Sequence, residues 1–227
     1  FIYEPMVSPK ILDYHKGPKV VFVSQNIVGL WGEYVLGEKG FVKMGGSVAI
    51  SAYDFGVRIG GNPVVLLGQD LAYSGGKSHV SGSIYEKDTF KADNKDLHQM
   101  IVDDIYGGKV LTDRKLYTFL QYFERFIESD KSLYPYLKVI DATEGGAQIN
   151  GTTVMTLKDV YYNFIADKQI DSDSIINDIN SRIDRENNYQ KLITAKKEII
   201  SKLNETLKDA KDGINILKQI NIISLVL

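Results

Sequence analysis

An apolar run without polar alternation, Val64-Val65-Leu66-Leu67, stops at "GQDLAYSGGKSH", residues 68–79. A strand that skips the polar/apolar alternation is buried on both faces, as in a parallel sheet. A second run, "YLKVIDA" (136–142), has the same character and leads into "TEGGAQINGT". Parallel strands need crossover connections, and helical patterns lie around these runs. "GGSVAISAYDFGVRIGG" (45–61) carries small and apolar residues at helical spacing, with Val48, Ala52, Phe55 and Ile59 on one face and Gly60-Gly61 as terminator. "RKLYTFLQYFERFIES" is apolar at Leu116, Phe119, Leu120, Phe123 and Ile127, and Thr112 or Asp113 caps it.

The earlier "PKVVFVS" (18–24) reads as a buried strand, and "QNIVGLWGEYVLGEKG" as a helix ending at its glycines. "QMIVDDIYGGKVLTD" reads as two short strands around Tyr106-Gly107-Gly108, and Thr156 caps a helix over "LKDVYYNFIA". The expected fold is α/β: a partial Rossmann-like, mostly parallel sheet with flanking helices. After Asp167 the chain has no Pro and a single Gly, and is periodic throughout. We expect a helical hairpin or small bundle there, broken near Asp212-Gly213. The expected domains are 1–166 and 167–227.

Composition narrows the function. With 27 basic and 29 acidic side chains the net charge is -2, without the clustered cations of a nucleic-acid footprint. The absence of cysteine excludes disulfides, thiolate metal sites and cysteine nucleophiles, and fits a cytoplasmic protein. No stretch reaches the ~18 apolar residues of a membrane span. Phe1 in place of Met, without a signal-peptide pattern, and the abrupt apolar "NIISLVL" lead us to expect a fragment.

Ligands of open α/β sheets bind beyond the carboxyl ends of the strands. Gln69, Asp70, Leu71, Tyr73, Lys77 and His79 follow one such end, and Glu144, Gly145 and Gly146 follow another. Asp70 can accept hydrogen bonds from a ribose or base, hold Mg²⁺, or cap a turn. Gly45-Gly46-Ser47 opens a helix, where free amides suit a phosphate or carboxylate; a plain turn with a serine cap, a routine feature of helix starts, is the simpler account on spacing alone. His79 suits a general base, or is an exposed loop residue. Glu144-Gly145-Gly146 curls around a ligand or is a tight loop. His98 sits in a poorly patterned stretch, His15 reads as surface, and the three histidines lack metal-ligand spacing. The charged helix 196–212 reads as a solvated face.

"GGSVAISAYDFGVRIGGNPVVLLGQDLAYSGGKSHVSG" with "DATEGGAQINGT" resembles the motility accessory factor family over residues 5 to 165. The resemblance implies a glycosyltransferase moving a nonulosonic acid, such as pseudaminic or legionaminic acid, from a CMP-sugar to Ser/Thr of flagellin. The core is also similar to bacterial sialyltransferases. That similarity implies Gly46 and Ser47 at the phosphate or ribose, Asp70 with Leu71 at the cytidine, and the loop after Ala142 lining the site. On the same reading Gly45, Gln69, Tyr73 and Glu144 to Gly146 join the donor site, and Lys77 is the candidate cation for the sugar carboxylate. No metal or other cofactor is required, and flagellin and the nucleotide sugar are the partners. The sequence departs from the sialyltransferases near Gly108, where their histidine base is missing, so His79 is the candidate base. A phosphate loop expected before Gly17 is also missing. Two alternatives stand beside this reading: a 6-hydroxymethylpterin diphosphokinase-like enzyme using ATP and Mg²⁺, with Asp70 on the metal, and a non-catalytic flagellin-binding module.

Overall fold

The computed structural model describes residues 1–23, 26–38, 40–73, 99–166 and 171–224. In chain order the elements are β1 (Ile2–Tyr3), α1 (Pro9–Tyr14), β2 (Val20–Val21), α2 (Ile27–Leu36), α3 (Val48–Arg58) and β3 (Val64–Leu66). There follow β4 (Gln99–Asp103), β5 (Lys109–Asp113), α4 (Arg114–Leu133), β6 (Val139–Asp141) and β7 (Thr153–Val154). Then come α5 (Leu157–Val160) with a π-helical turn (Tyr161–Ile165), α6 (Ser172–Ser181) and α7 (Arg185–Ser224). The chain forms two compact units: Phe1–Phe41 with Asp171–Leu227, and Val42–Ile170. The α/β class, with parallel sheets, flanking helices and a long C-terminal helix, agrees with the sequence.

In the first unit β1 and β2 pair in parallel, Ile2 with Val20 and Tyr3 with Val21. The strand expected over 18–24 is confined to two residues, and Val20 and Val21 are exposed rather than buried. Asn26 caps α2 by accepting from the amide of Gly29 at 2.8 Å, and Gly37 ends the helix at φ 82°. α2 packs on α7. His15 is half-buried against the Phe1 ring, 5.2 Å between centroids, and not on the open surface expected. Gly213 does not break α7, which runs unbroken for 40 residues. One glycine costs a helix only about 1 kcal/mol relative to alanine, which a long helix absorbs. The interruption falls instead at 182–184, where the Asp184 carboxylate accepts from the Asn187 amide.

The second unit is built on a parallel sheet in the order β3-β6-β7. Val64, Val65 and Leu66 pair with Val139, Ile140 and Asp141. All of β6 is buried: Val139 joins a core with Ile50, Tyr53, Leu120, Phe123 and Ile127, while Ile140 joins Ala142 and Val160 on the opposite face. β6 therefore matches the two-sided burial its sequence predicts. β3 matches it less well, because Leu67 emerges beyond the strand and is exposed. β4 and β5 form the hairpin read around Tyr106-Gly107-Gly108, and Asp113, not Thr112, caps α4 through the Leu116 amide at 2.8 Å. Thr156 caps α5 as read.

α3 corrects the sequence reading. The face expected inward was Val48, Ala52, Phe55 and Ile59, yet Val48 and Ile59 are well exposed. The buried stripe is Ile50, Ser51, Tyr53, Asp54 and Val57. Two polar residues sit on it, which hides its apolar period. They are satisfied by Lys43, ahead of the helix, and by Arg58 at its end. The Asp54 carboxylate accepts from the Lys43 amide at 2.8 Å and from Arg58 Nε at 2.6 Å. Lys43 Nζ donates to Asp130 of α4 at 2.6 Å, lies 3.7 Å from Asp54, and sits 5.0 Å above the Phe126 ring. Ser51 donates to the Lys43 carbonyl. Buried carboxylates are tolerable only when paired in this way.

Asp54→Ala is expected to destabilise the protein by about 3 kcal/mol, because it takes the buried acceptor away from the Lys43 amide and from Arg58. Asp103→Ala breaks the Lys109–Asp103 pair, whose side chains are both 66% exposed, and is expected to cost less than about 1 kcal/mol. Urea denaturation of the two variants tests the contrast.

Candidate functional site

The tips of β3 and β6 are where this sheet can hold a ligand. Two loops leave them, Gly68–Tyr73 and Ala142–Ala147, and they are locked together. The Ala147 amide donates to the Asp70 carbonyl at 2.7 Å, and the Gln69 amide donates to Thr143 Oγ1 at 3.1 Å. Gly146 has φ 87°, and a Cβ there would stand 2.3 Å from the Asp70 carbonyl oxygen. Only glycine lets the two backbones approach this closely.

Both loops are strained. Among the described residues, Leu71 (φ 49°) and Glu144 (φ 62°) are the non-glycine residues in the left-handed region, one per loop. Each such conformation costs about 1–3 kcal/mol and persists only where its surroundings over-determine it. The β4–β5 hairpin supplies those surroundings. Thr112 Oγ1 donates to the Leu71 carbonyl at 2.8 Å, and the Tyr73 amide donates to the Leu111 carbonyl at 2.8 Å. On the other loop the Ile105 amide donates to the Gly146 carbonyl, and the Gln148 amide to the Asp103 carbonyl.

Within this frame the structure brings together Gln69, Asp70, Leu71, Tyr73, Glu144, Gly145 and Gly146. Their side chains differ in what they do. Gln69 and Asp70 are half-buried, whereas Leu71 is buried in the core. The Tyr73 hydroxyl donates to Asp113 at 2.5 Å, so it steadies the cap of α4. Burial, with Asp113 as a hydrogen-bond partner, pushes its pKa up to about 12. Glu144 turns to the start of α5, accepting from the Leu157 amide at 3.1 Å.

Gly45, Gly46 and Ser47 have another setting. A Cβ on Gly45 would meet Ile50 and Tyr122, and one on Gly46 would meet Phe119, so these glycines seat the start of α3 against the aromatic face of α4. Ser47 accepts from the Ala49 amide at 3.3 Å, the ordinary capping role. Among the described residues no hydrogen bond joins the Gly45–Ser47 turn to Gln69–Leu71. Lys77, His79 and His98 lie outside the described residues. Two open clefts of about 490 and 620 Å³ lie along the outer side of α4, lined by Arg125, Glu124 and Glu128 among others, and neither includes a strand-tip residue.

Sequence reasoning missed Asp141, the last residue of β6. It is fully buried; one carboxylate oxygen accepts from the Thr143 amide at 3.0 Å and the other has no hydrogen-bond partner among the described residues. Burial raises its pKa, Asp70 nearby adds to the rise, and the hydrogen bonds from Thr143 offset part of it. The signal was the one that marked Asp70, a carboxylate closing an apolar strand. Among the described residues no group of three or more His, Cys, Asp or Glu is placed to hold a metal ion, and no helix is long and apolar enough to cross a membrane.

A family described as "MptE-like: 6-hydroxymethylpterin diphosphokinase MptE-like" matches residues 1–76. No curated protein matches the chain. Among solved structures, a Maf glycosyltransferase from Magnetospirillum magneticum AMB-1 is similar over 85% of this chain, at 12% identity and a TM-score of 0.48. The present chain covers 25% of that protein's length.

Gly146→Ala is expected to destabilise the protein by about 3 kcal/mol or more, combining a left-handed alanine with the clash on Asp70. Gly145→Ala, whose Cβ would meet nothing within 4 Å, is expected to cost much less, as thermal denaturation of both would show. A second expectation concerns pH. The folded pKa of Asp141 is raised above its unfolded value, so its stabilising share is complete below the ordinary aspartate range and is lost as pH rises through the folded value. Asp141→Asn should therefore gain stability relative to wild type as pH increases from acid to neutral. A stability difference that stays flat with pH would contradict this.

Proposed function

We propose that this chain carries part of the nucleotide site of a transferase, and that its reaction is transfer of a nonulosonic acid from a CMP-sugar to a protein hydroxyl. The observation that carries the reading is the pair of strained loops, with Leu71 and Glu144 in left-handed conformation, held together at the tips of parallel strands. Strain kept by a surrounding frame is characteristic of ligand sites. Asp70 stands in the first of these loops, as the resemblance to the motility accessory factor family and the sialyltransferases requires. In this reading Gln69 and Asp70 orient the nucleoside, Gly45, Gly46 and Ser47 serve the donor phosphate, and Gly145 lines the same space. Backbone amides neutralise the departing CMP, so no metal is required. Lys77 pairs with the sugar carboxylate. His79 takes the acceptor proton as the hydroxyl attacks the anomeric carbon, with flagellin as the acceptor.

The match of residues 1–76 to the MptE-like family favours a second reading: pyrophosphate transfer from ATP to a hydroxymethylpterin, with Asp70 on Mg²⁺. Both readings use the same loop, and the nucleotide separates them.

Isothermal calorimetry with CMP is expected to show binding that Asp70→Ala abolishes and that does not depend on Mg²⁺. Absence of CMP binding, or binding indifferent to Asp70→Ala, would overturn the first reading. Magnesium-dependent ATP binding lost in the same variant would establish the second.

A further inference from the structure

From Ile200 to Leu217 α7 repeats with a period of seven. Assigning Ile200 to position a of a heptad places Ile200, Leu207 and Ile214 at a, and Leu203, Ala210 and Leu217 at d. All six lie on one continuous helix, and all six are exposed, Leu203 and Leu217 at 63% each. α2 packs on α7, but from Lys196 to Ile220 only Gly213 is less than exposed. A surface helix that faces a globular core carries a broader stripe with a period near 3.6; a seam of a and d positions over three heptads is the pattern of a helix that winds around another helix.

The flanking charges narrow the choice of partner. Lysines occupy position e at Lys197, Lys211 and Lys218, while the acidic residues Glu198, Glu205 and Asp212 occupy position f, away from the seam. Position g carries Ile199, Thr206, Gly213 and Ile220 and is uncharged. Two copies aligned antiparallel would set the lysines of one against those of the other. Two copies aligned in parallel set each e lysine beside an uncharged g residue, where its methylene stem covers apolar surface and its ammonium reaches water. Isoleucine at two of the three a positions with leucine at two of the three d positions also favours two parallel strands. We propose that residues 196–220 of α7 form a parallel two-stranded coiled coil with a second copy of this chain.

Sedimentation of the 227-residue chain at micromolar concentration is expected to give twice the 25.5 kDa of one copy. Leu207→Asp, at the centre of the seam, should return it to a single copy. Ile216→Asp removes an equally exposed isoleucine at position c, off the seam, and should leave the dimer intact. Because the chain has no cysteine, Leu217→Cys offers one thiol per copy, and mild oxidation should join two chains only if like positions face each other. That crosslink decides the matter if Leu207→Asp also loses helical signal. A monomeric wild type would mean that something other than a second copy covers this face, and would overturn the proposal. So would a dimer that survives Leu207→Asp, or one in which Leu217→Cys fails to crosslink.

Discussion

The approach of Gly146 to the backbone of Asp70 is the constraint on which the strand-tip region depends. With a side chain at 146 the loop after β6 could not lie against the loop after β3, and the hydrogen bond from Ala147 to the Asp70 carbonyl would be lost. The hairpin then holds both loops, through Thr112 and Leu111 on the first and Ile105 and Asp103 on the second. Leu71 keeps its unfavourable backbone angle under the hydrogen bond from Thr112, and Glu144 under that from the Leu157 amide. The half-buried Asp70 and the buried Asp141 are fixed with them, two carboxylates near enough for one to raise the proton affinity of the other.

Much of the fold was legible because burial on both faces leaves an unmistakable trace. Val139 to Asp141 and the apolar period of α4 follow directly from their residues, as do the caps at Ser47, Asp113 and Thr156. α3 was legible as a helix but not as to which face turns inward. Apolar periodicity assumes that buried positions are apolar, and here Asp54 and Ser51 are buried because Lys43 and Arg58 satisfy them, with Asp130 in turn holding Lys43. Arg58 lies on α3 itself, four residues on, but Lys43 precedes the helix and its own partner Asp130 is 87 residues away, which no local pattern announces.

The site was legible in the same uneven way. A polar residue directly after a buried strand marked Gln69 and Asp70, and the same rule applied to β6 would have marked Asp141. The individual employments of Tyr73 and Glu144 were not readable, since Asp113 and the Leu157 amide reach them only once the hairpin and α5 are in place. Nor could spacing reveal that Gly45 and Gly46 make room for Tyr122 and Phe119 of a helix that starts far along the chain. Gly213 shows the reverse error: a local breaker was credited with more influence than its cost allows within a long helix.

The division of the chain has a consequence for its birth on the ribosome. The unit containing β1, β2 and α2 is completed by α6 and α7, while residues 42–170 are made in between. Domains generally mature as units during synthesis. The second unit can therefore settle as soon as residue 170 has emerged, whereas residues 1–41 must wait, with the side of α2 that packs on α7 uncovered, until the long helix is translated. An arrest of translation before α7 would leave a finished middle attached to an orphaned beginning, the kind of half-made product that chaperones attend.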